Sequence, residues 1–354
     1  MKKNLFVLVD ASQKVGSGHF MRCTTLSQEL KSLFNEIIFI TSNESKLIIN
    51  SNEKFFTNII HIDSFKNLKS ENYNNEINTI KIILEKYQHN ENYLLIDHYD
   101  IDERFETMLK TIFKKIFVID DLANREHNCN LLIDHGYYKS QNNRYDSLIP
   151  KNTKKLLGPK YAIINPKFKN QNKTFDNKKF SIKNILITFG SVDSTNECEK
   201  VTDALCLIDN KNFKINVITG MYNPIFEHLK KKYKKYENIK IFRHVDEIEK
   251  LMFSSDLCFG AGGTTNFERF CSGLASIVTI VADNQKEGVE YLAEMGHVIN
   301  LGIAKNITIQ SYVDKLNSLD LNLLYKMAKN NQKFIDGLGS IRIKKEISKI
   351  TNDV

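Results

Sequence analysis

Short apolar runs, each closed by polar residues, recur along the first part of the chain. The run Leu5–Val9 precedes a polar loop and a helical pattern over residues 20–33, and a second run covers Glu36–Thr41. Three further runs each end in aspartate, at residues 94–97, 117–120 and 131–134. Continuous apolar runs of this length are typical of strands buried on both faces of a parallel sheet. The pattern therefore predicts alternating strands and helices, with the polar strand ends along one edge of the sheet.

The same alternation restarts after a polar stretch at residues 169–179. A strand and turn are predicted over Asn184–Gly190, and a helix over Glu197–Leu207. Further elements are strands at residues 214–219, 239–243, 256–259 and 276–281 and a lysine-rich helical tail at residues 321–350. We therefore expect an α/β protein of two doubly wound, Rossmann-like domains facing a cleft. The expected boundaries are residues 1–168 for the first domain, 169–180 for a linker, and 181–354 for the second domain with the tail.

Cysteine usage and the N-terminal residues indicate a protein of a reducing compartment. The six cysteines are scattered without a CxxC pair, which argues against a disulfide framework or a zinc knuckle. Asp10 ends the N-terminal apolar run, so this run predicts a first strand rather than a signal peptide. Because no run reaches the roughly 20 apolar residues of a membrane span, we expect a cytoplasmic protein with no membrane partner.

The charge balance favours an anionic ligand. The formal net charge is +8, largely from lysine, which suits a nucleotide. The densest basic run, at residues 230–236, is interpreted as a solvated helix face with tyrosines packed beneath it, rather than as a nucleic-acid site. We expect no nucleic-acid partner, and the sequence does not determine the oligomeric state.

The loop after the first strand carries the pattern Gly16-x-Gly18-His19-x-x-Arg22. In an open α/β sheet such a loop lies where ligands bind, and glycine allows the backbone to approach a ligand closely. A histidine has an ordinary pKa of about 6.5, which suits proton transfer near neutral pH. His19 is therefore a candidate catalytic base. The residues alone also allow a second interpretation, in which His19 is only a loop residue that caps the helix.

Two common cofactor sites are disfavoured. The third glycine position of a dinucleotide fingerprint holds Met21, and the second strand ends at Thr41 without an acidic residue. The Asp-His pairs at residues 97–98 and 134–135 contain metal-ligand residue types, but adjacent strand residues point to opposite faces. We therefore expect neither a cofactor nor a metal, and we interpret these polar strand ends as the lining of a sugar pocket.

A second candidate site is the sequence Gly-Ala-Gly-Gly-Thr-Thr-Asn-Phe-Glu-Arg at residues 260–269, between a strand and a helix. Its backbone N–H groups suit a diphosphate, and the Glu268 carboxylate can accept two hydrogen bonds from ribose hydroxyls. The alternative is a simple glycine turn whose glutamate stabilises the helix dipole. Two further polar turns, at residues 188–193 and 281–285, are either ordinary turns or ligand contacts.

Taken together, these elements resemble a known family. The stretches concerned are Gly-x-Gly-His-x-x-Arg (16–22), Ile-Asp-His-Tyr (96–99), Tyr-Ala (161–162), Phe-Gly-Ser-x-Asp (189–193), Ala-Gly-Gly-Thr-Thr with Glu-Arg (261–269) and Asp-Asn-Gln (283–285). They are similar to the hydrolases of UDP-2,4-diacetamido-2,4,6-trideoxy-β-L-altropyranose in pseudaminic acid biosynthesis, grouped with the SpsG-like proteins of spore-coat polysaccharide synthesis. The resemblance covers about residues 5–300. Its first motif is specific, whereas the glycine motif is shared with many GT-B glycosyltransferases, including the MurG type.

The resemblance implies a GT-B fold and metal-independent hydrolysis of a UDP-sugar. It implies that His19 is the catalytic base, that Tyr99 lies near the sugar, and that the Gly262–Thr265 turn and Glu268 bind UDP. The expected substrate-binding residues are Gly16, Gly18, Arg22, Asp97, Tyr99, Gly190, Ser191, Gly262, Gly263, Thr264, Thr265, Glu268, Asn284 and Gln285.

The expected reaction is attack of water at the anomeric carbon with inversion, which releases UDP and the free diacetamido sugar. The main alternative is a GT-B glycosyltransferase of surface polysaccharide synthesis, and the other is a non-catalytic nucleotide-sugar-binding protein. The chain departs from the family pattern at Phe267, where many relatives carry tryptophan, and at Asn165 and Lys167, where arginine and glutamate are common. These departures bear on the identity of the sugar more than on the reaction.

Overall fold

The computed structural model describes residues 1–9, 17–46, 58–62, 73–169, 173–176, 180–208 and 213–352. The chain divides into two compact units. The first comprises Met1–Gly136, Ser140–Ile163 and Leu338–Val354, and the second comprises Tyr137–Lys139 and Ile164–Gly337. Within the described ranges, none of the helices combines the length and apolar character needed to cross a bilayer.

The first unit contains a parallel sheet, which has seven strands among the described residues. In chain order its elements are β1 (Lys3–Val9), α1 (Gly18–Leu30), β2 (Glu36–Ser42), β3 (Ile59–Ile62), α2 (Asn74–Glu85), β4 (Glu91–Asp97), α3 (Glu103–Leu109), β5 (Lys115–Ile119), β6 (Leu131–Asp134) and β7 (Lys154–Leu157). The spatial order of the strands is β3-β2-β1-β4-β5-β6-β7. The predicted apolar runs form its centre, since residues 5–9 of β1 are fully buried and β4 is buried from residue 92 onward.

The second unit repeats this architecture with six described strands. In chain order its elements are β8 (Asn184–Thr188), α4 (Glu197–Leu207), β9 (Lys214–Ile218), α5 (Phe226–Lys232), β10 (Ile239–Phe242), α6 (Ile248–Ser254), β11 (Leu257–Ala261), α7 (Thr265–Cys271), β12 (Ala275–Ile280), α8 (Lys286–Glu294), β13 (Ile299–Ile303), α9 (Ile309–Asn317) and α10 (Leu321–Phe334). The strand order is β10-β9-β8-β11-β12-β13. The predicted Rossmann-like character of both units is therefore confirmed.

Both sheets reverse their strand order beside their first strand. β1 pairs in parallel with β2 on one side and β4 on the other, and β8 pairs in the same way with β9 and β11. Open α/β sheets bind ligands outside the carboxyl ends of the strands at such a point. His19 follows β1 and Asp97 ends β4, whereas Gly190 and the Gly262–Thr265 turn follow β8 and β11. Each of the two motifs found in the sequence thus lies at the reversal point of its own sheet.

The C-terminal tail departs from the sequence prediction. Instead of one helical stretch in the second domain, it forms α10 and then α11 (Gly339–Asn352), and α11 belongs to the first unit and packs on α1. Gly337 allows the break because its φ is +74°. Gly339 allows the close packing, since a Cβ there would lie 2.1 Å from the carbonyl oxygen of Ala162.

Other boundaries also differ from those expected. The units separate at Ile163–Ile164 instead of at residue 168, and the described part of the predicted 169–180 linker belongs to the second unit. The strands β3, β7 and β13 were not predicted. β7 and β13 carry partly exposed positions, so they lack the continuous apolar signal of the central strands.

Two glycines of the second unit with positive φ provide a matched test of packing. Gly220 has φ +96°, and an added Cβ would lie 2.3 Å from the Gly190 carbonyl oxygen. Gly296 has φ +77°, and apart from its chain neighbours no heavy atom of the described residues lies within 4 Å of the corresponding position. We expect Gly296→Ala to cost about 1 kcal/mol of unfolding free energy from backbone strain alone. Gly220→Ala should cost about 3 kcal/mol or more, because the loop after β8 must also move. Chemical denaturation measures both, and equal losses would contradict this packing.

Candidate functional site

His19 and Asp97 form a buried pair at the carboxyl edge of the first sheet. His19 is the second residue of α1 and is 7% exposed, and Asp97 ends β4 and is fully buried. The His19 Nδ1 atom lies 2.5 Å from Asp97 Oδ1. A carboxylate oxygen only accepts, so Nδ1 carries the proton in this contact, and the lone pair of a neutral ring lies on Nε2. Among the described residues, no side chain donates a hydrogen bond to Nε2.

Arg22 holds the Asp97 carboxylate with a two-pronged contact. Arg22 lies about one turn after His19 on α1. Its Nε donates to Asp97 Oδ2 at 2.6 Å, and its Nη2 donates to Asp97 Oδ1 at 2.7 Å. Burial alone would raise the pKa of Asp97, but the charges of Arg22 and His19 hold that pKa well below its usual range. Asp97 therefore stays ionised and can fix the orientation of the imidazole.

This geometry places two of the predicted substrate-binding residues in contacts with the protein itself. Arg22 and Asp97 were expected to contact substrate, yet Arg22 is 4% exposed and Asp97 is fully buried. Both Asp97 oxygens already accept hydrogen bonds, and Arg22 Nη1 donates to Asp121 Oδ2 at 2.8 Å. Among the described residues, the contacts of both side chains are therefore with the protein itself, and they hold the Asp97 carboxylate against His19.

The other two strand-end aspartates also pair with arginine. Arg125 Nη1 donates to Asp120 Oδ1 at 2.7 Å. Arg144 Nε donates to Asp134 Oδ2 at 3.2 Å. The Tyr145 hydroxyl lies between the two carboxylates, 2.9 Å from Asp120 Oδ2 and 3.1 Å from Asp134 Oδ2. The aspartates at the carboxyl ends of β4, β5 and β6 thus form ion pairs with arginine, and their role as the lining of a sugar pocket stays a prediction.

Two buried groups of this edge have strongly shifted pKa values. Burial raises the pKa of Asp134 to about 7, an effect that the Gly136 N–H and the Arg144 charge only partly oppose. Burial, together with the charge of Arg22, lowers the pKa of His135 to about 4. At neutral pH, His135 is therefore an uncharged imidazole near the His19 cluster.

Tyr99 and Gly18 border His19. The Tyr99 ring contacts the His19 ring edge to face, with centroids 4.5 Å apart and an interplanar angle of 88°. Tyr99 is partly exposed, as expected of a substrate contact. No heavy atom of the described residues lies within 4 Å of a Cβ built on Gly18, so a ligand could approach the backbone there. Gly16 lies outside the described residues.

The glycines of the second site serve different purposes. A Cβ on Gly260 would lie 2.0 Å from Arg269 Nη1, and one on Gly262 would lie 2.3 Å from Val289 Cγ2. At Gly263 the nearest atom would be Gln285 Nε2, at 3.8 Å. Gly260 and Gly262 are therefore required by the packing of the protein itself. Gly263 alone of the three leaves room for a ligand.

Gln285 braces the Gly262–Thr265 turn from the neighbouring strand end. Its Oε1 accepts from the Gly262 N–H at 3.1 Å and from the Val281 N–H at 3.2 Å. The Gly262 N–H therefore already has an acceptor. Gln285 links the loop after β11 to the loop after β12. The N–H groups of Gly263, Thr264 and Thr265 remain as candidate donors, because the first N–H groups of a helix have no intrahelical acceptor. Asn284, the other predicted contact in this loop, is exposed.

Glu268 is a carboxylate in the first turn of α7. It is partly exposed, and burial of its protein-facing side raises its pKa to about 7, with the charge of Arg269 lowering and that of Glu249 raising it. Within the described part of the chain, its carboxylate accepts no hydrogen bond from another side chain. It can therefore accept hydrogen bonds from a ligand.

The loop after β8 is held by its own contacts. Gly190 has φ +88° with open space at its Cβ position, and the Ser191 carbonyl accepts from the Tyr222 N–H at 2.9 Å. Asp193 caps α4, since its carboxylate accepts from the Glu197 and Cys198 N–H groups, each at 2.9 Å. Gly190 and Ser191 thus lie at the edge of the second site on a loop with a fixed shape.

Residues suited to a metal are not grouped in either site. Across the described residues, no cluster of three or more histidine, cysteine, aspartate or glutamate side chains could hold a metal ion. The Asp97 and Asp134 carboxylates, which the sequence singled out as ligand types, accept hydrogen bonds from arginine instead.

Comparison with solved structures identifies the fold. The chain aligns with a crystal structure of MurG from Acinetobacter baumannii with a TM-score of 0.68 at 14% sequence identity, over 99% of this chain and 100% of that chain. Residues 184–341 also match the model of the glycosyltransferase family 28 C-terminal domain. The chain has the GT-B fold. The second unit of this GT-B protein thus includes the region that corresponds to a family 28 C-terminal domain.

Two curated proteins are similar in sequence. One is an uncharacterized protein of Methanocaldococcus jannaschii, 29% identical over 289 residues, which cover 79% of this chain and 56% of that protein. This chain thus spans little more than half the length of that relative. The other is the UDP-2,4-diacetamido-2,4,6-trideoxy-β-L-altropyranose hydrolase of Campylobacter jejuni, 26% identical over 292 residues, or 82% of this chain and 96% of that protein.

Sequence reasoning missed several residues of these GT-B sites. Asp121, Arg125 and Arg144 form the ion-pair network, and Arg269 lies beneath the glycine turn. The signal was present in the composition. Only seven of the 50 basic residues are arginine, and four of these seven are Arg22, Arg125, Arg144 and Arg269, which make the contacts described above. Arginine can form bidentate contacts that lysine cannot, so in a lysine-rich chain the few arginines are candidates for such buried contacts.

Proposed function

We propose that this protein is an enzyme acting on a UDP-sugar, and that it hydrolyses UDP-2,4-diacetamido-2,4,6-trideoxy-β-L-altropyranose at the anomeric carbon. The observation that carries the proposal is the His19–Asp97 pair, a buried carboxylate that orients an imidazole at the reversal point of the first sheet. The similarity to the Campylobacter jejuni hydrolase over 82% of the chain supports the substrate. The motif Gly18-His19-x-x-Arg22 supports the same assignment.

The proposed base is Nε2 of His19. It accepts a proton from water as the water oxygen bonds to the anomeric carbon, and the bond from that carbon to the diphosphate oxygen breaks with its electrons leaving on UDP. Asp97 holds the Nδ1 proton, which keeps the accepting lone pair on Nε2 and stabilises the imidazolium that forms. UDP is a good leaving group, so the proposal requires no strong general acid.

The second unit is proposed to hold the nucleotide. The N–H groups of Gly263, Thr264 and Thr265 are the donors for the diphosphate, and the open Cβ position of Gly263 allows close approach. Glu268 accepts hydrogen bonds from the ribose hydroxyls. Gly190 and Ser191 are proposed as further contacts, and Tyr99 of the first unit as a contact to the sugar.

A glycosyltransferase is the second candidate, favoured by the match of residues 184–341 to the family 28 C-terminal domain. The same nucleotide site and the same base would serve a transferase, with an acceptor hydroxyl in place of water. The two candidates differ in what happens when no acceptor is present.

Incubation with the UDP-diacetamido sugar alone in ¹⁸O-labelled water separates these functions. We expect free sugar and UDP to be released without an acceptor, with the label in the sugar, because water attacks carbon. NMR and mass spectrometry of the products measure this. Turnover that requires an added acceptor would support the transferase, label in UDP would mean attack at phosphorus, and UDP binding without turnover would exclude catalysis.

His19→Ala and Asp97→Asn should each lower turnover by about 10²–10⁴-fold. Alanine removes the base. Asparagine can donate its amide hydrogen to Nδ1, which moves the ring proton to Nε2 and removes the accepting lone pair. UDP affinity should stay within about threefold of wild type, because the proposed UDP contacts lie in the second unit.

The matched control for these variants is Glu106→Gln. Glu106 and His127 form another buried carboxylate–imidazole pair of the first unit, 2.7 Å apart. His127 also lies 3.9 Å from Asp120 Oδ2, but among the described residues the pair makes no side-chain hydrogen bond to His19 or Asp97. This variant has a similar cost of burial but should retain turnover within about threefold. Near-normal turnover in His19→Ala, or an equal loss in Glu106→Gln, would contradict the assignment.

The raised pKa of Glu268 predicts a pH-dependent affinity. With a pKa of about 7, the carboxylate is mostly ionised at pH 8 and mostly protonated at pH 6. Binding of a UDP-sugar, whose diphosphate diester does not titrate in this range, should weaken by up to about tenfold as the pH falls from 8 to 6, because the ribose loses its acceptor. Glu268→Gln should flatten this profile in calorimetric titrations. An unchanged profile in the variant would show that another group titrates.

A further inference from the structure

Arg269 is a fully buried cation beneath the Gly262–Thr265 turn. Its Nη2 donates to the Ala261 carbonyl at 2.7 Å and also contacts Asn266 Oδ1. Ala261 directly precedes the turn and Asn266 directly follows it. A single guanidinium therefore holds both ends of the turn that we propose as the diphosphate site.

The charge of Arg269 is not neutralised within the described part of the chain. Its hydrogen-bond acceptors there include a carbonyl and a carboxamide, both uncharged, its Nε and Nη1 atoms have no nitrogen or oxygen partner among those residues, and the Cys258 thiol forms a hydrogen bond with the guanidinium. The neighbouring Cys258 thiol is neutral, because burial raises its pKa. Glu268, a carboxyl group whose pKa the Arg269 charge lowers, still has a pKa of about 7 and is about half protonated at neutral pH. A buried charge without an ionic partner is costly, so its retention calls for a compensating ligand.

The packing around the guanidinium is specific to arginine. Nη1 lies over Gly260, where a Cβ would be 2.0 Å from it and 2.8 Å from the Thr188 carbonyl oxygen. The strand end thus carries a glycine where a side chain would displace the cation. In a chain with 43 lysines among its 50 basic residues, this position carries one of the seven arginines.

We propose that Arg269 is a positioning residue for the diphosphate, a buried positive charge beneath the turn that favours an anion on the turn's exposed side. This inference rests on the proposed nucleotide site. It names the charge that would make this site favour a ligand with a diphosphate over one without. Arg269 is fully buried, so it acts through the turn and its field and does not touch the ligand. A unit charge acting over about 8 Å at an effective dielectric constant of about 20 corresponds to roughly a 30-fold change in affinity.

The test compares UDP with uridine, which lacks the diphosphate, by calorimetry on the full-length protein. Arg269→Gln can keep a hydrogen bond but loses the charge. It should lower the ratio of UDP to uridine affinity by about 10- to 30-fold, whereas Arg269→Lys, which keeps the charge, should hold the ratio within about threefold. Because the ratio is taken within one variant, a smaller folded fraction does not change it. Arg243→Gln, a substitution of an exposed arginine in the same unit, is the control and should leave the ratio unchanged.

Each outcome of these titrations either supports or contradicts the proposed role of the Arg269 charge. If Arg269→Gln preserves the ratio, or lowers both affinities equally, Arg269 is only structural and the inference fails while the nucleotide site stands. If Arg269→Gln does not fold, the Arg269→Lys variant decides, and a collapsed ratio there overturns the role of the charge. Inorganic pyrophosphate is the further probe. Wild-type protein that binds pyrophosphate in an Arg269-dependent way but not UDP would refute the proposed function and support the anion site, and binding of neither would refute both.

Discussion

The ion pair between Arg22 and Asp97 is the constraint on which the first site depends. Asp97 ends a fully buried strand, where an unpaired carboxylate would take up a proton instead of keeping its charge. Arg22 keeps Asp97 ionised, and the ionised carboxylate in turn fixes which nitrogen of His19 carries the proton. Because His19 and Arg22 are three residues apart on one helix face, the start of α1 brings both of them to the strand end.

The positions of the central strands along the chain were predictable because these strands are continuous apolar runs. Those runs gave the two parallel sheets and placed both motifs at strand ends, and the observed helix Glu197–Leu207 has the predicted bounds. The edge strands β7 and β13 were missed because their exposed positions interrupt the pattern. The position of α11 could not be predicted, because an amphipathic helix shows that it has an apolar face but not which sheet will cover that face.

The candidate sites were predictable by location and less so by role. His19 and the Gly262–Thr265 turn lie where the motifs placed them. The side chains of Arg22, Asp97 and Gln285 all contact other parts of the protein, and their expected contact with a substrate stays a prediction. Sequence spacing cannot reveal that a polar side chain is already occupied, since this depends on partners such as Asp121 that are distant in the chain. The glycines of the second motif show the same limit, because protein atoms fill the Cβ positions of Gly260 and Gly262, whereas a Cβ on Gly263 would make only an ordinary contact with Gln285 at 3.8 Å.

Because α11 packs in the first unit, the contacts of that unit form in a particular order during translation. Lys3, in the strand that begins the first sheet, donates from Nζ to the Thr351 carbonyl at 2.8 Å, and α11 packs on α1. These two partners are 348 positions apart in the chain, and the second unit is made between them. The first unit therefore acquires its full set of contacts only after the second unit has been made. Until then, the surface of α1 that α11 will cover stays open to solvent or to chaperones.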